Sequence, residues 1–258
     1  MKVVILAGGL GTRISEESHL RPKPMIYIGE MPILIHIMKS YAAQGFKDFI
    51  ICAGYKQEVI KEYFAHYFLY NNDVTYDFAT NERIVHKRSC DDWKVTVVDT
   101  GLRTGTGGRI RRIRDFIGDE PFMLTYGDAV SDIDVKKLIA AHESSGKIGT
   151  ISCYNLAKTK GVVDVDKDGT VSSFKEKFKA DGDLINIGFA VFEPKIFDYI
   201  ADDSTMLEDE PMRRLVAEEQ LSAYVHTGFW QCMDTMRERE ILESYWNSGE
   251  APWKNWED

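Results

Sequence analysis

Lys2-Val3-Val4-Ile5-Leu6-Ala7 is a predominantly apolar run that leads directly into Gly8-Gly9-Leu10-Gly11-Thr12-Arg13. A short apolar run that ends in a glycine-rich turn is typical of a strand buried in a parallel sheet. Glycines let the backbone come close to a ligand and turn its N–H groups toward an anion. Arg13 adds a guanidinium fork that matches phosphate oxygens. We therefore expect this loop to bind a phosphate-bearing ligand, and a tight turn without a ligand is the alternative.

Short apolar runs and helical patterns alternate along the first half of the chain. Strands are predicted at 48–52, 95–98 and 122–126, and helices at 33–44, around 60–67 and near 109–117. From about residue 149 the pattern is richer in strands. It predicts a hairpin over 162–176 that turns at Asp168-Gly169, strands at 186–192 and 221–225, and a last helix at 236–247. We therefore expect an α/β protein with a mostly parallel sheet and one continuous domain over 1–258.

The composition excludes several classes of protein. The net charge of −9 disfavours a surface that binds nucleic acid. No apolar run approaches the roughly 18 residues that a membrane-spanning helix needs, and the amino-terminal run is too short for a signal peptide, so we expect a cytoplasmic protein. The four cysteines form no C-x-x-C pair, and the six histidines are dispersed. Neither a zinc site nor a catalytic triad is indicated.

Two familiar nucleotide-binding patterns do not fit the glycine loop. The dinucleotide fingerprint G-x-G-x-x-G, begun at Gly9, needs a third glycine where Ile14 stands. An oxidoreductase is therefore disfavoured. The Walker pattern needs Gly-Lys before Ser or Thr, whereas this loop ends Gly11-Thr12-Arg13.

One lysine and two aspartates follow at positions that favour chemistry on phosphates. Lys23 lies between Pro22 and Pro24, which restrict its backbone, and it is predicted to bind phosphate. Asp128 follows the predicted strand 122–126, where ligands gather at the carboxyl edge of a sheet. Asp234 precedes the last predicted helix, so a helix N-cap is the alternative to a ligand-binding role.

The loop Leu6–Arg13 and the segment Arg21-Pro22-Lys23-Pro24-Met25 resemble the nucleotidyltransferase family that couples nucleoside triphosphates to sugar 1-phosphates. Further similar segments occur in the same order along the whole chain: 48–56, 60–64, 98–101, 106–109, 125–128, 228–231, 233–235 and 251–254. The resemblance implies a Rossmann-like three-layer nucleotidyltransferase fold with a mixed, mostly parallel sheet and a strand-rich C-terminal elaboration. It also implies a homo-oligomer.

The resemblance assigns roles to individual residues. CTP, as the nucleotide, is expected to bind in the part of about 1–148, and a phosphorylated acceptor, glucose 1-phosphate, in the part of about 149–258. The nucleotide-binding residues are Leu6, Ala7, Gly8, Gly9, Gly11, Thr12, Arg13, Lys23, Thr106, Arg109 and Asp128. Arg13, Lys23 and Lys177 are the expected catalytic residues, Asp128 and Asp234 the ligands of Mg²⁺, and Glu176, Lys177 and Asn186 the acceptor-binding residues. Arg109 is expected at the start of a helix, where N–H groups favour anions.

The acceptor part departs from the family pattern. Phe178 follows Glu176-Lys177 where proline is usual, Ile187 replaces a glycine, and Cys232 replaces a proline. A different phosphorylated acceptor is therefore one alternative. Use of dTTP or UTP is a second, because no residue spacing selects cytosine. A nucleotide-binding regulatory subunit is the third.

Overall fold

A computed structural model describes residues 1–11, 14, 19–86, 91–155, 162–165, 171–175 and 184–257, with 162–165 and 171–175 described by their backbone. Its strands are β1 Lys2–Ala7, β2 Tyr27–Ile28, β3 Met31–Pro32, β4 Asp48–Ala53, β5 Val74–Asp77, β6 Glu82–Val85, β7 Lys94–Asp99, β8 Phe122–Tyr126, β9 Ala129–Ser131, β10 Gly149–Asn155, β11 Val162–Val165, β12 Val171–Lys175, β13 Leu184–Phe192, β14 Leu221–His226 and β15 Trp230–Cys232.

The α-helices are α1 Ile33–Ala43, α2 Gln57–Tyr70, α3 Thr106–Arg112, α4 Arg114–Ile117, α5 Val135–Ser145, α6 Glu210–Ala217 and α7 Met236–Asn247. In the described residues, 3₁₀ helices lie at Lys23–Met25 and Pro194–Tyr199. Across the described ranges, no helix is both long enough and apolar enough to cross a membrane.

The main sheet has the strand order β14-β10-β13-β8-β1-β4-β7 in the described part of the chain. Strand β1 pairs in parallel with β4 and β8, β4 pairs in parallel with β7, and β10 pairs in parallel with β14. Strand β13 runs antiparallel to both of its neighbours, β8 and β10. The predicted α/β class with a mixed, mostly parallel sheet is therefore confirmed.

Helices cover both faces of this sheet. Alternate residues of β1 face opposite sides, so Val3 and Ile5 belong to one buried cluster and Val4 and Leu6 to another. The first cluster includes the apolar side of α1, and the second includes Ile110 of α3. The predicted three layers result from this arrangement.

Most of the predicted elements are present within one to three residues of their expected ends. The antiparallel pair of β11 and β12 confirms the hairpin, although its turn at Asp168-Gly169 lies outside the described residues. One helix start was wrong: α3 begins at Thr106, with Gly105 as its N-cap, so Arg109 is in its last turn.

Strands β8 and β13 separate toward the carboxyl end of β8. Their register pairs Phe122, Met123 and Leu124 with Phe192, Val191 and Ala190. Beyond these pairs the ring of Tyr126 lies against Gly188, where a Cβ atom would come within 2.2 Å of the ring. The separation leaves space between the two strands at the same edge of the sheet as the glycine loop.

Candidate active site

The glycine loop forms one wall of a cavity of about 330 Å³ at the carboxyl ends of β1 and β8. We call it the glycine-loop cavity. Nine of the predicted nucleotide-binding residues line it: Leu6, Ala7, Gly8, Gly9, Gly11, Lys23, Thr106, Arg109 and Asp128. The structure therefore brings together predicted residues from four separate stretches of the chain. The two others, Thr12 and Arg13, lie outside the described residues.

Lys23 is held between the two aspartates. The 3₁₀ helix Lys23–Met25 carries it, with Pro22 and Pro24 on either side, and the residue is 8% exposed. Its Nζ lies 2.6 Å from Oδ2 of Asp128 and 2.5 Å from Oδ1 of Asp234. Burial lowers the pKa of Lys23, but attraction to Asp128 and hydrogen bonds to both carboxylates outweigh burial, so the pKa lies above its ordinary value. The site therefore carries a fixed positive charge between two negative ones.

Two short strands bring the aspartates together. Asp128 immediately precedes β9, and Asp234 follows β15 by two residues. Strands β9 and β15 pair antiparallel, with Ala129 opposite Cys232. Beyond this pair, the backbone N–H of Met233 donates to the carbonyl of Asp128 at 2.8 Å. Residues more than one hundred positions apart therefore share one edge of the site.

Asp234 is not the N-cap of the helix that follows. Thr235 is the N-cap of α7: its hydroxyl accepts from the backbone N–H of Glu238, and the Glu238 side chain accepts from the backbone of Thr235. The carboxylate of Asp234 faces Lys23 instead. The capping alternative is therefore wrong, and the carboxylate lies inside the site beside Lys23.

Arg109 lies beneath the glycine loop with its guanidinium held by the protein itself. Nη1 donates to Oγ1 of Thr100 at 2.8 Å and to the carbonyl of Gly101 at 2.7 Å, and Nη2 donates to the carbonyl of Gly8 at 2.9 Å. A Cβ atom on Gly8 would lie 2.1 Å from this guanidinium, so glycine at position 8 makes room for Arg109. Burial lowers the pKa of Arg109. Its contact with phosphates stays a prediction.

The start of α3 is docked on a loop from the second half of the chain. The N–H groups of Gly105 and Gly108 donate to the carbonyls of Asp203 and Thr205 at 2.8 and 3.1 Å. A Cβ on either glycine would come within 2.4 Å of that loop. These hydrogen bonds therefore position the wall of the cavity. The close approach of the loop requires glycine at both positions, so no bound ligand is needed to explain the glycines.

A second cavity, of about 580 Å³, opens where β8 and β13 separate. We call it the β13 cavity. Asp128, Asp234 and the predicted acceptor residue Asn186 line it, together with Ile187 and Cys232. Asn186 Oδ1 accepts from the N–H of Gly188 at 3.0 Å. The other predicted acceptor residues, Glu176 and Lys177, lie outside the described residues.

Ile187 belongs to the core that underlies the β13 cavity. The residue is 2% exposed and packs in the same buried cluster as Tyr154 and Phe189. The change from the family's glycine therefore adds mainly to the packing of the core and leaves a cavity of the volume given above. Burial, followed by the nearby Glu238, raises the pKa of the Cys232 thiol to about 12, so this thiol is neutral.

Several lining residues were not predicted from the sequence, and three of them carry or adjoin polar contacts of the site. Tyr126 lines both cavities, Met206 lines the glycine-loop cavity, and Glu208 lines the β13 cavity. Tyr126 directly precedes Gly127-Asp128 at the end of a strand, so its position carried a signal. Met206 and Glu208 come from the loop that docks on α3, and neither follows a strand or lies in a motif.

Comparison with known proteins agrees with this geometry. The family model described as Nucleotidyl transferase matches residues 2–258. The chain belongs to this family. It is 50% identical to glucose-1-phosphate cytidylyltransferase of Salmonella typhimurium, over 100% of both chains. It is 43% identical to the probable glucose-1-phosphate cytidylyltransferase of Bacillus subtilis, over 99% of this chain and 100% of the relative.

A solved structure of a nucleotide complex is similar to this nucleotidyltransferase over most of its length. HddC from Yersinia pseudotuberculosis, complexed with GMP-PN, is 25% identical, with a TM-score of 0.68 over 95% of this chain and 99% of that one. The predicted fold and the predicted enzyme class, a nucleotidyltransferase, are confirmed, and the oxidoreductase alternative is wrong.

Proposed function

We propose that this nucleotidyltransferase joins CTP and α-D-glucose 1-phosphate to give CDP-glucose and pyrophosphate. One observation carries the proposal: two cavities meet at Asp128 and Tyr126, as a reaction between two phosphate-bearing substrates requires. The end-to-end similarity to the two cytidylyltransferases supports the choice of substrates. CTP is assigned to the glycine-loop cavity and the acceptor to the β13 cavity. We also propose a cytoplasmic location.

The reaction requires alignment and charge neutralisation more than proton transfer. A phosphate oxygen of the sugar 1-phosphate attacks the α-phosphorus of CTP and forms a new P–O bond. The bond from that phosphorus to the oxygen bridging to the β-phosphate breaks, and pyrophosphate leaves with the electron pair. The attacking oxygen is already an anion near neutral pH, so no general base is needed. The protein must hold two anions that repel each other in line.

Lys23 is suited to charge neutralisation because its position is fixed and its side chain stays protonated. Its ammonium lines the glycine-loop cavity and contacts Asp128, which lines both cavities, and Asp234, which lines the β13 cavity. A lysine with a raised pKa stays protonated at neutral pH, and a preorganised cation stabilises the charge that develops on the transferred phosphate. Arg13 and Lys177 remain the other proposed catalytic residues, and Glu176 and Asn186 remain proposed contacts of the acceptor.

The residues present fit a divalent cation. Asp128 and Asp234 offer carboxylate oxygens, the ligands that Mg²⁺ prefers, and both already lie against one cation, the ammonium of Lys23. Among the described residues no group of three or more candidate metal ligands occurs. Mg²⁺ is commonly held by one or two carboxylates and substrate phosphates, so two carboxylates suffice. When bound, Mg²⁺ neutralises phosphate charge and orients the substrates.

Pyrophosphate release tests the proposal. The purified protein is incubated with Mg²⁺, CTP and glucose 1-phosphate, with UTP and dTTP as alternative nucleotides and mannose 1-phosphate as an alternative acceptor. We expect release to be fastest with CTP and glucose 1-phosphate and to stop in excess chelator. D128N should abolish it, whereas D119N, which alters an exposed aspartate outside both cavities, should not.

Each alternative has a distinct result. Faster release with UTP or dTTP contradicts the choice of CTP, and faster release with another phosphate contradicts the choice of acceptor. Binding of CTP without release under any condition favours the regulatory subunit.

We also propose that the protein is a homo-oligomer. Tyr63 and Phe64 of α2 pack against the core, whereas Tyr70 at its end is 73% exposed and Phe78, in the loop between β5 and β6, is 91% exposed. Large exposed aromatic side chains are typical of contacts between subunits. Light scattering on the native protein should give a mass that is a multiple of 29.5 kDa. The variant Phe78→Ser should give a smaller species. A monomer in the native protein contradicts the proposed homo-oligomer.

A further inference from the structure

The carboxylate of Glu208 forms hydrogen bonds with residues that line the two cavities. Oε2 accepts a hydrogen bond from the hydroxyl of Thr106 at 2.5 Å, and Oε1 accepts one from the hydroxyl of Tyr126. Thr106 lines the glycine-loop cavity, Glu208 lines the β13 cavity and Tyr126 lines both. Both oxygens of the carboxylate are therefore engaged, one by a residue of the glycine-loop cavity and one by a residue shared by the two cavities.

The loop that carries Glu208 is fixed on the glycine-loop cavity. The backbone N–H of Leu207 donates to the hydroxyl of Thr106 at 2.9 Å, so this hydroxyl is held from both sides. The contacts of Gly105 and Gly108 with the loop, given above, fix the same segment. Leu207 itself is 1% exposed and belongs to the core on that face of the sheet. The backbone that carries Glu208 is therefore fixed, and the exposed side chain is held by its two hydrogen bonds.

Tyr126 is held as firmly at the other end of the link. Its ring lies against Gly188, and its hydroxyl donates to Glu208. A carboxylate can only accept a hydrogen bond, so the phenol of Tyr126 is the donor. A hydrogen bond to a charged acceptor is stronger than one between neutral groups.

We infer that Glu208 is a positioning residue that couples the two cavities, holding Thr106 for the nucleotide and Tyr126 for the acceptor in one arrangement. The identity of the two substrates rests on the proposed function, but the link itself does not. A change at Tyr126 reaches Thr106 through this carboxylate. The link therefore makes nucleotide affinity depend on Tyr126 through Glu208, a side chain of the β13 cavity.

Steady-state kinetics with a matched control test the role. We expect E208A to raise KM for CTP and for the acceptor about tenfold each while kcat changes less than about threefold. E208Q, which can still hydrogen bond to both hydroxyls, should recover most of the loss. The control is E218A, which removes a similar hydrogen bond from the hydroxyl of Tyr199 outside both cavities. It should leave both KM values unchanged.

Calorimetric binding of CTP without an acceptor tests the coupling. Y126F should weaken CTP binding severalfold in the native background and have no further effect in the E208A background. An equal effect of Y126F in both backgrounds, or KM values within twofold of native in E208A, overturns the inference. CTP binding requires no turnover, so a coupled response in a protein that does not convert glucose 1-phosphate counts against the proposed acceptor alone.

Discussion

Trp253 donates its indole N–H to Nδ1 of His36 across 3.2 Å, which determines the hydrogen position of a buried histidine. An indole nitrogen can only donate, so Nδ1 accepts and Nε2 carries the hydrogen, which it donates to the carbonyl of Ile28 at 2.9 Å. The rings of Trp246 and Trp256 also lie within about 6 Å of the imidazole. Through these two hydrogen bonds the neutral imidazole links Trp253, near the C-terminus, to Ile28 of β2. Ile28 lies three residues after Met25, the last residue of the 3₁₀ helix that begins at Lys23.

Acid should destabilise the fold through His36. Burial lowers its pKa to about 4, with Lys39 adding a smaller effect in the same direction, against 6.5 for an unperturbed histidine. The unfolded chain therefore binds this proton first, and stability is lost as the pH falls from about 6.5 to about 4. The difference corresponds to about 3 kcal/mol at most. Urea unfolding at a series of pH values measures it.

Substitution separates His36 from the carboxylates that also titrate in acid. H36Q should flatten the dependence of the free energy of unfolding on pH above pH 5. H66Q, which alters an exposed histidine of α2, should leave it unchanged. Equal slopes for the native protein and H36Q would show that His36 is not responsible.

Removal of the Lys23 cation should lower the catalytic efficiency and increase the effect of Mg²⁺ on thermal stability. K23M should lower kcat/KM for CTP by about 100-fold, as removal of a preorganised charge does elsewhere. It also leaves Asp128 and Asp234 without their shared cation, so added Mg²⁺ should raise the melting temperature more than in the native protein. K147M, at a lysine outside both cavities, is the control. A melting temperature insensitive to Mg²⁺ in K23M contradicts this interpretation.

Neighbouring residues at the start of α7 should separate stability from activity. T235A removes the N-cap and should lower the free energy of unfolding by about 1 kcal/mol, with kcat/KM within about threefold of native. D234N should lower kcat/KM at least about 100-fold and cost less stability than T235A. Denaturant unfolding and initial rates measure both quantities, and the reverse pattern would return the capping role to Asp234.

Gly188 should resist substitution for two reasons that a control can separate. Its φ is +86°, and a Cβ would collide with the ring of Tyr126. Gly249 has a similar φ of +74° but nothing within 4 Å of its Cβ position. G249A should cost about 1 kcal/mol for the backbone alone, and G188A about 2 kcal/mol more because of the ring. Similar losses in the two variants would mean that Tyr126 moves aside freely.

The sequence predicted those parts of the fold that local patterns determine. Apolar runs located β1, β4 and β8, and strand ends then located the glycine loop and Asp128. Lys23 was identified because two prolines restrict it. These signals are local, because burial on both faces of a strand requires a continuous apolar run and the ligand-binding edge follows the last apolar residue.

Other parts depend on contacts that no short pattern encodes. The start of α3 was placed three residues late because glycines disfavour helix, whereas docking against Asp203 and Thr205 requires them there. Strands β9 and β15, three residues each, are too short to show a period, yet they bring Asp128 and Asp234 together. Glu208 stands in an acidic run that is typical of a solvated surface.

The β13 cavity opens where β8 and β13 part, so the position of that point sets one end of the cavity. Three residue pairs hold these strands together, and each further pair would advance the junction by about 3.3 Å toward the ligand edge. For the acceptor that we propose to bind there, the number of paired residues would therefore limit the length of the molecule. Relatives that use longer acceptors are therefore expected to differ in the register of β8 and β13 as well as in the side chains that line the cavity.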